Sequence, residues 1–369
     1  MSNRLLVGTR KGLFRFDRDE RGRWRVARTW FVGDAISIVL SEPGGLRIHA
    51  AQGLGHFGVK MQRTVDGGET WSEQAAPAYP PKPDGLEDKE PYRGTDIPWS
   101  TQLIWALAAG GPGELWCGTI PGGLFRSVDG GDSWALVSAL WDDPRRQQWM
   151  GGGFDFPGVH SICVDPGDPA HVTIAVSCGG VWTTRDHGES WTLIGAGQRN
   201  DYMPPERARD PLVQDPHRVI HCPVRPERMW MQHHNGLFVS DDAGENWREL
   251  DASAFTRFGF AVAVHPTDPD TAWFVPAAKD EQRVAVDARV VVTRTRDGGE
   301  SFELLTAGLP QEHAYDLVYR HALDIDDTGE RLAFGSTTGS LWISEDGGDH
   351  WQTLSTHLPP VSSVGFQRD

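Results

Sequence analysis

Five histidines carry most of the latent chemistry in this chain. His233 and His234 stand side by side in Gln232-His233-His234-Asn235, His56 closes Gly53-Leu54-Gly55-His56, and His160 and His217 sit where the chain enters apolar runs. Imidazole changes charge near neutral pH and is the commonest transition-metal ligand. Two or more of the five brought together would make a general acid/base pair or a metal site. No pair has a local ligand spacing such as His-x-x-x-His, so convergence has to come from the fold. A divalent metal is one occupant such a set would accept; the sequence does not assign the ion. Taken singly, each of these residues reads first as a hydrogen-bonded wall residue. His221 and His321 fall into matching positions when the chain is aligned on Pro226 and Asp326. His187, His265 and His350 lie in turns and read as structural.

Candidate binding residues cluster in long polar stretches. Residues 75–101 hold Tyr92, Arg93, Asp96 and Trp99; residues 138–158 hold Trp149; residues 196–217 hold Tyr202 and Glu206. Segments this long in a compact fold are usually functional or disordered. Arg10, Arg93 and Arg218 are suited to anionic groups, and Trp99, Trp149 and Tyr202 to an apolar wall. Asp96 and Glu206 complete the polar set. Tyr202 and Glu206 are four residues apart, but on a loop that spacing carries no geometry.

What must position these groups is a repeat. Six segments fit Ser/Thr-x-Asp-x-Gly-x-x-Trp/Phe: Thr64–Trp71, Ser127–Trp134, Thr184–Trp191, Ser240–Trp247, Thr295–Phe302 and Ser344–Trp351. Their aspartates are separated by 63, 57, 56, 55 and 49 residues. A period near 50 means a repeat architecture. Each segment lies between two β-rich runs and so reads as a hairpin turn. The Asp accepts turn N–H groups, and the fifth-position residue takes positive φ. These acids therefore read as turn builders, not as catalysts or ligands.

Four strands per unit make a propeller blade. The expected first strands are Ile36–Leu40, Ile104–Ala108, Ser161–Val164, Val219–Cys222, Phe260–Val264 and Leu317–Arg320. The chain opens on what matches a second strand, Arg4–Gly8, followed by the third-strand pattern Gly12–Phe16. It closes on Val361–Phe366, a first-strand pattern with nothing after it. Joining the two ends predicts a seven-bladed, all-β propeller with no open edge. Seven such units consume residues 1–369 as a single domain. Third-to-fourth-strand hairpins line one face. Second-to-third and fourth-to-first connections, which hold most of the candidate residues, line the other.

The six-fold pattern resembles the Asp-box, or bacterial neuraminidase repeat, of sialidase-like propellers, over nearly the whole chain. It also resembles bacterial repeat proteins described as glycosyl hydrolases. That resemblance implies a sialidase-like fold with functional sites on the second face. Sialidases of this group also use three arginines, a Tyr/Glu pair, an Asp acid/base and an Arg-Ile-Pro motif. Here Thr9-Arg10-Lys11 stands where that motif would be, and none of the arginines has the family context, so true sialidase activity is not expected. Repeat turns say nothing about catalysis.

The chain has 51 acidic and 35 basic residues, a net charge of −16. That balance disfavours nucleic acid and anionic membranes as partners. No stretch reaches membrane-spanning length. Met1–Arg4 run straight into a strand without a signal-peptide core. Cys117, Cys163, Cys178 and Cys222 read as buried thiols in a reducing compartment. A cytoplasmic protein is expected. Two functions are open. One is an enzyme, of hydrolase or lyase type, on a small polar or carbohydrate-like substrate at the channel mouth. The other is a non-catalytic scaffold binding a protein partner across the same face.

Overall fold

The computed structural model describes residues 1–252 and 256–368. Seven four-stranded antiparallel sheets surround a central channel, each with its first strand innermost. Blade one closes the ring. Its strands run Val361–Phe366, Arg4–Thr9, Gly12–Arg18 and Trp24–Trp30 from the channel outward. The closing ladder pairs Leu5 with Phe366, Val7 with Val364 and Gly8 with Ser363. The Ser2 hydroxyl adds a bond to the Gln367 carbonyl at 2.6 Å. Val361, Val364 and Phe366 are buried in the largest apolar cluster, which runs through blades six, seven and one. The first and last strands are thus one sheet, with no free edge at the joint.

The remaining blades follow the expected order with one correction. The first strand of blade seven is Leu323–Ile325, not Leu317–Arg320. Leu317 and Val318 are buried, but as part of a packed connection. Leu317 joins a small cluster with Phe258, Phe260 and Ala277, and its carbonyl accepts from Thr337 N–H. An apolar run of this length serves a buried connection as well as a strand.

Each repeated turn is closed by the same bonds. In blade two, the Thr64 hydroxyl donates to Asp66 Oδ1 at 2.7 Å and accepts from Gly68 N–H at 3.0 Å. Asp66 in turn accepts the Thr70 N–H at 2.9 Å and the Thr70 hydroxyl at 2.6 Å. Ser133, Ser190, Asn246, Ser301 and His350 do the same work for Asp129, Asp186, Asp242, Asp297 and Asp346. The fifth-position glycines hold φ near +90°, from +89° at Gly131 to +99° at Gly348. The fourth position is left-handed too, so strongly that His187 and Ala243 adopt φ of +56° and +58° there. Hydrogen bonding holds the carboxyls of Asp129, Asp186 and Asp297 down at about 2.

Six fully buried tryptophans fill the blades: Trp116, Trp149, Trp182, Trp230, Trp273 and Trp342. Each removes enough apolar surface to contribute about 2–3 kcal/mol. All four cysteines are buried and free. Among the described residues, no helix is long and apolar enough to cross a membrane.

Candidate functional site

The second-to-third and fourth-to-first connections enclose a cavity of about 550 Å³ at one mouth of the channel. Blade one gives Arg10 from its second-to-third turn. Blade three gives Trp105 from its innermost strand, and the connection after it gives Gly152, Gly153 and Phe154. The 277–291 segment of blade six gives Arg283, and the connection into blade seven gives Tyr319, Arg320 and His321. No Asp or Glu is among the described lining residues. In a chain of net charge −16, this is a local reversal of sign.

Arg320 is the centre of that reversal. It is 7% exposed, its Nε has no hydrogen-bond partner, and it forms no ion pair among the described residues. Its guanidinium instead lies 4.8 Å from the Trp105 ring and 5.1 Å from the Phe260 ring. Burial pulls it down to about 10. Burying a charge with no carboxylate at ion-pair distance costs several kcal/mol, which the more distant Asp215 and the ring contacts offset only in part. Arg283 is already engaged, its Nε donating to Asp280 Oδ1 at 3.0 Å. Burial pushes His321 well below the usual imidazole range, and its Nε2 is also without a partner.

Beside the cavity, behind Gly152, lies a second group built on blade five. Asp215 precedes the innermost strand Pro216–Cys222, and His234 follows the second strand Arg225–His233. The ladder shifts register between Pro216 and Arg218, which leaves His217 outside the regular pairing. Such irregularities re-aim a side chain. Asp215 Oδ2 lies 3.3 Å from His234 Nδ1, 3.8 Å from His217 Nε2 and 3.3 Å from the Tyr202 hydroxyl. Burial opposes charge on both Asp215 and His234, but their mutual hydrogen bond prevails. It keeps the carboxyl well below its usual range and raises the imidazole. Burial brings His217 down to about 3, so it is neutral.

The five candidate histidines separate into three situations. His217 and His234 meet, their rings 5.3 Å apart. His233 is completely buried behind them and braces the turn. Its Nε2 and Nδ1 each lie 3.1 Å from a backbone N–H, of Asp215 and of Asn235. A neutral ring accepts at only one of the two. His160 is buried beneath Trp105, at 5.4 Å, with Nδ1 2.9 Å from the Ser161 hydroxyl. His56 stands apart, exposed in the blade-two hairpin against Phe57.

Of the other candidates, Arg10 lines the cavity. Arg218 is half-buried and donates to the His160 carbonyl at 3.3 Å. Tyr202 reaches Asp215 and the Cys178 thiol, which is 3.1 Å from its hydroxyl. Arg93 is exposed and paired with Asp155, and Asp96 is exposed in a bridge with Lys89. Glu206 is exposed and forms no pair with Tyr202 among the described contacts. Trp99 donates to Asp88 at 2.8 Å and edges onto Trp141. Trp149 is sealed in the interior against Trp182, with Gly122 and Gly179 on its ring, so it cannot wall a ligand site. His221 and His321 do not match. His221 lies by Cys163, Asp165 and His171, whereas His321 lines the cavity. Arg320, Arg283 and Phe154 were not evident from the sequence. Phe154 and Arg283 do lie in long connections, 138–158 and 277–289, whose length alone was the signal.

No family model matches the chain. Over 275 residues it is 35% identical to the oligoxyloglucan-reducing end-specific xyloglucanase of Emericella nidulans, a match taking in 69% of this chain and 27% of that protein. The chain therefore spans only about a quarter of the curated relative's length. Among solved structures, an ancestral GH74 enzyme superposes with a TM-score of 0.59 at 16% identity, over 87% of this chain and 38% of that one. YCF48 from Cyanidioschyzon merolae superposes with a TM-score of 0.58 at 15% identity, over 94% of this chain and 96% of that one. At these identities the superpositions establish the propeller fold, as the sheet order does independently.

Proposed function

We propose that this chain is a carbohydrate-active propeller of the glycosyl hydrolase-like group, and that its cavity takes a small sugar bearing a carboxylate. The repeated turns are read as Asp-boxes of the sialidase-like type, with a structural role. The similarity to a xyloglucanase supports the carbohydrate class. The observation that carries the anionic part is the buried Arg320, without an ion pair among the described residues, in a cavity whose described lining includes Arg10 and Arg283 and no acid.

That lining bears on the reaction. Glycoside hydrolysis ordinarily needs two carboxyl groups flanking the bond, about 5–10 Å apart. An arginine, a neutral imidazole and a phenol suit elimination next to a carboxylate instead. His321 Nε2 would take the proton from the carbon bearing the carboxylate. The electron pair left behind forms a carbon–carbon double bond and expels the glycosidic oxygen, which is protonated by the Tyr319 hydroxyl or by water. Arg320 would hold the carboxylate as charge builds on it.

The test is to incubate the protein with uronate-containing oligosaccharides and with neutral xyloglucan oligosaccharides, and to weigh the products. The proposal expects uronate substrates to give an ultraviolet-absorbing unsaturated fragment with no water added. Cleavage confined to neutral oligosaccharides, with one water gained per bond, would overturn it.

A further inference from the structure

We propose that Asp215, His217 and His234 form a binding site for one first-row divalent cation, separate from the cavity and behind its wall. Their ligand atoms all lie within 4.8 Å of one another. Tetrahedral coordination at about 2.0–2.1 Å places ligand atoms roughly 3.4 Å apart, and the observed separations from Asp215 Oδ2 are 3.3 and 3.8 Å. The two distances to the carboxylate already fit; gathering all three ligand atoms, which span up to 4.8 Å, takes a further inward turn of the imidazoles.

Two further observations point to an ion and not merely to an ion pair. The Gly259 carbonyl lies 2.6 Å from His217 Nδ1, which fixes the proton on that nitrogen. Nε2 therefore presents a lone pair to a carboxylate oxygen, an acceptor facing an acceptor. A cation between them resolves the conflict. A histidine ligand whose other nitrogen donates to a backbone carbonyl is the usual outer-shell arrangement at metal sites. In addition, Asp215 Oδ1 is buried with no hydrogen-bond partner among the described residues. A buried carboxylate oxygen left unsatisfied in this way is costly.

The surroundings fit a held ion. Tyr202 braces the carboxylate from one side, and its ring meets His234 edge-on at 5.1 Å. Phe260 stacks on His217 at 4.5 Å, and Phe258 edges onto both imidazoles at 5.5 Å. These contacts fix both rings. A Cβ added to Gly152 would stand 3.0 Å from Ser177 Cβ, 3.2 Å from Cys178 Sγ and 3.3 Å from Asp215 Oδ1, so the cavity wall lies closely against the site there. Cys178, at φ +46° in the adjacent hairpin, adds a thiol at the edge of the group. Two imidazoles and one carboxylate suit Zn²⁺ or Co²⁺ far better than Mg²⁺ or Ca²⁺, which prefer all-oxygen shells.

The test uses the full chain, stripped with a chelator and titrated calorimetrically with Zn²⁺, then with Co²⁺ followed by visible absorption. The expected result is one ion per chain, with the intense Co²⁺ bands of a four- or five-coordinate site. His234→Gln, at the more exposed ligand, should weaken binding at least 100-fold, while His350→Gln, in an exposed repeated turn, should leave it unchanged. Mg²⁺ should not compete. No heat and no bands with the unmodified chain would overturn the proposal, as would equal affinity in His234→Gln and the unmodified chain. Because the first outcome needs no variant, a folding defect in His234→Gln does not shield the proposal.

Discussion

The two faces of this ring use titratable residues in opposite ways. On one face, six aspartates sit in exposed turns, and each carboxylate is saturated by donors from residues within four positions of it. On the other face, charged and imidazole groups arrive from several blades and carry orphaned atoms: Arg320 Nε, His321 Nε2 and Asp215 Oδ1. Saturated polar groups close a structure. Unsatisfied buried ones cost stability, and are kept where something else satisfies them. On this contrast rests the proposal that the first face is structural and the second binds ligand.

The ring that holds both faces can be opened. Removing residues 361–369 strips the innermost strand from blade one and uncovers Val361, Val364 and Phe366. Those three side chains alone contribute about 5–8 kcal/mol, comparable to the whole stability of a domain. The truncated chain should aggregate or unfold at room temperature, read by light scattering and circular dichroism. A monomer melting where the full chain melts would contradict the closure.

The turn face should respond with small, purely structural losses. Asp242→Ala removes the acceptor for the Ser240 hydroxyl and the Asn246 N–H and amide. Solvent replaces part of what is lost, so the expected cost is about 1 kcal/mol. Ligand and metal affinity in the folded fraction should not change. A drop in affinity at unchanged melting temperature would move function to the wrong face.

Acid should erode the same face. The folded carboxyls at about 2 in Asp129, Asp186 and Asp297 lie below the ordinary value of about 3.9 of the unfolded chain. The sign is that of depressed acids. Their contribution is complete above about pH 4 and disappears as pH falls towards 2. Melting temperature followed from pH 5 to pH 2 should fall across that window. A flat profile would mean that the turn bonds do not favour the ionised form.

The turn face was legible in the sequence because its chemistry is local. Serine or threonine, aspartate, glycine and a closing aromatic lie within eight residues, so pattern and geometry coincide. Closure was legible for a related reason, since Val361–Phe366 was a first strand lacking a second. The cavity face was legible only in its residue types. His217 and His234 could be singled out, but that they meet Asp215 depends on a register shift no pattern announces. Arg320 was hidden in what read as a strand, because Leu317-Val318 look the same in a ladder and in a packed connection. Trp149 misled for the opposite reason: a tryptophan in a long loop suggested a binding wall, while two facing glycines make room for it inside.

The central claim is that Arg320 is kept for a ligand and not for the fold, and one pair of measurements on Arg320→Met tests it. Methionine keeps apolar contact with Trp105 and Phe260 while removing the buried charge. The account predicts a variant that melts at or above the unmodified temperature yet binds glucuronate at least 30-fold more weakly by calorimetry, with the unmodified chain preferring glucuronate to glucose. Unchanged glucuronate affinity in a folded Arg320→Met variant would contradict it.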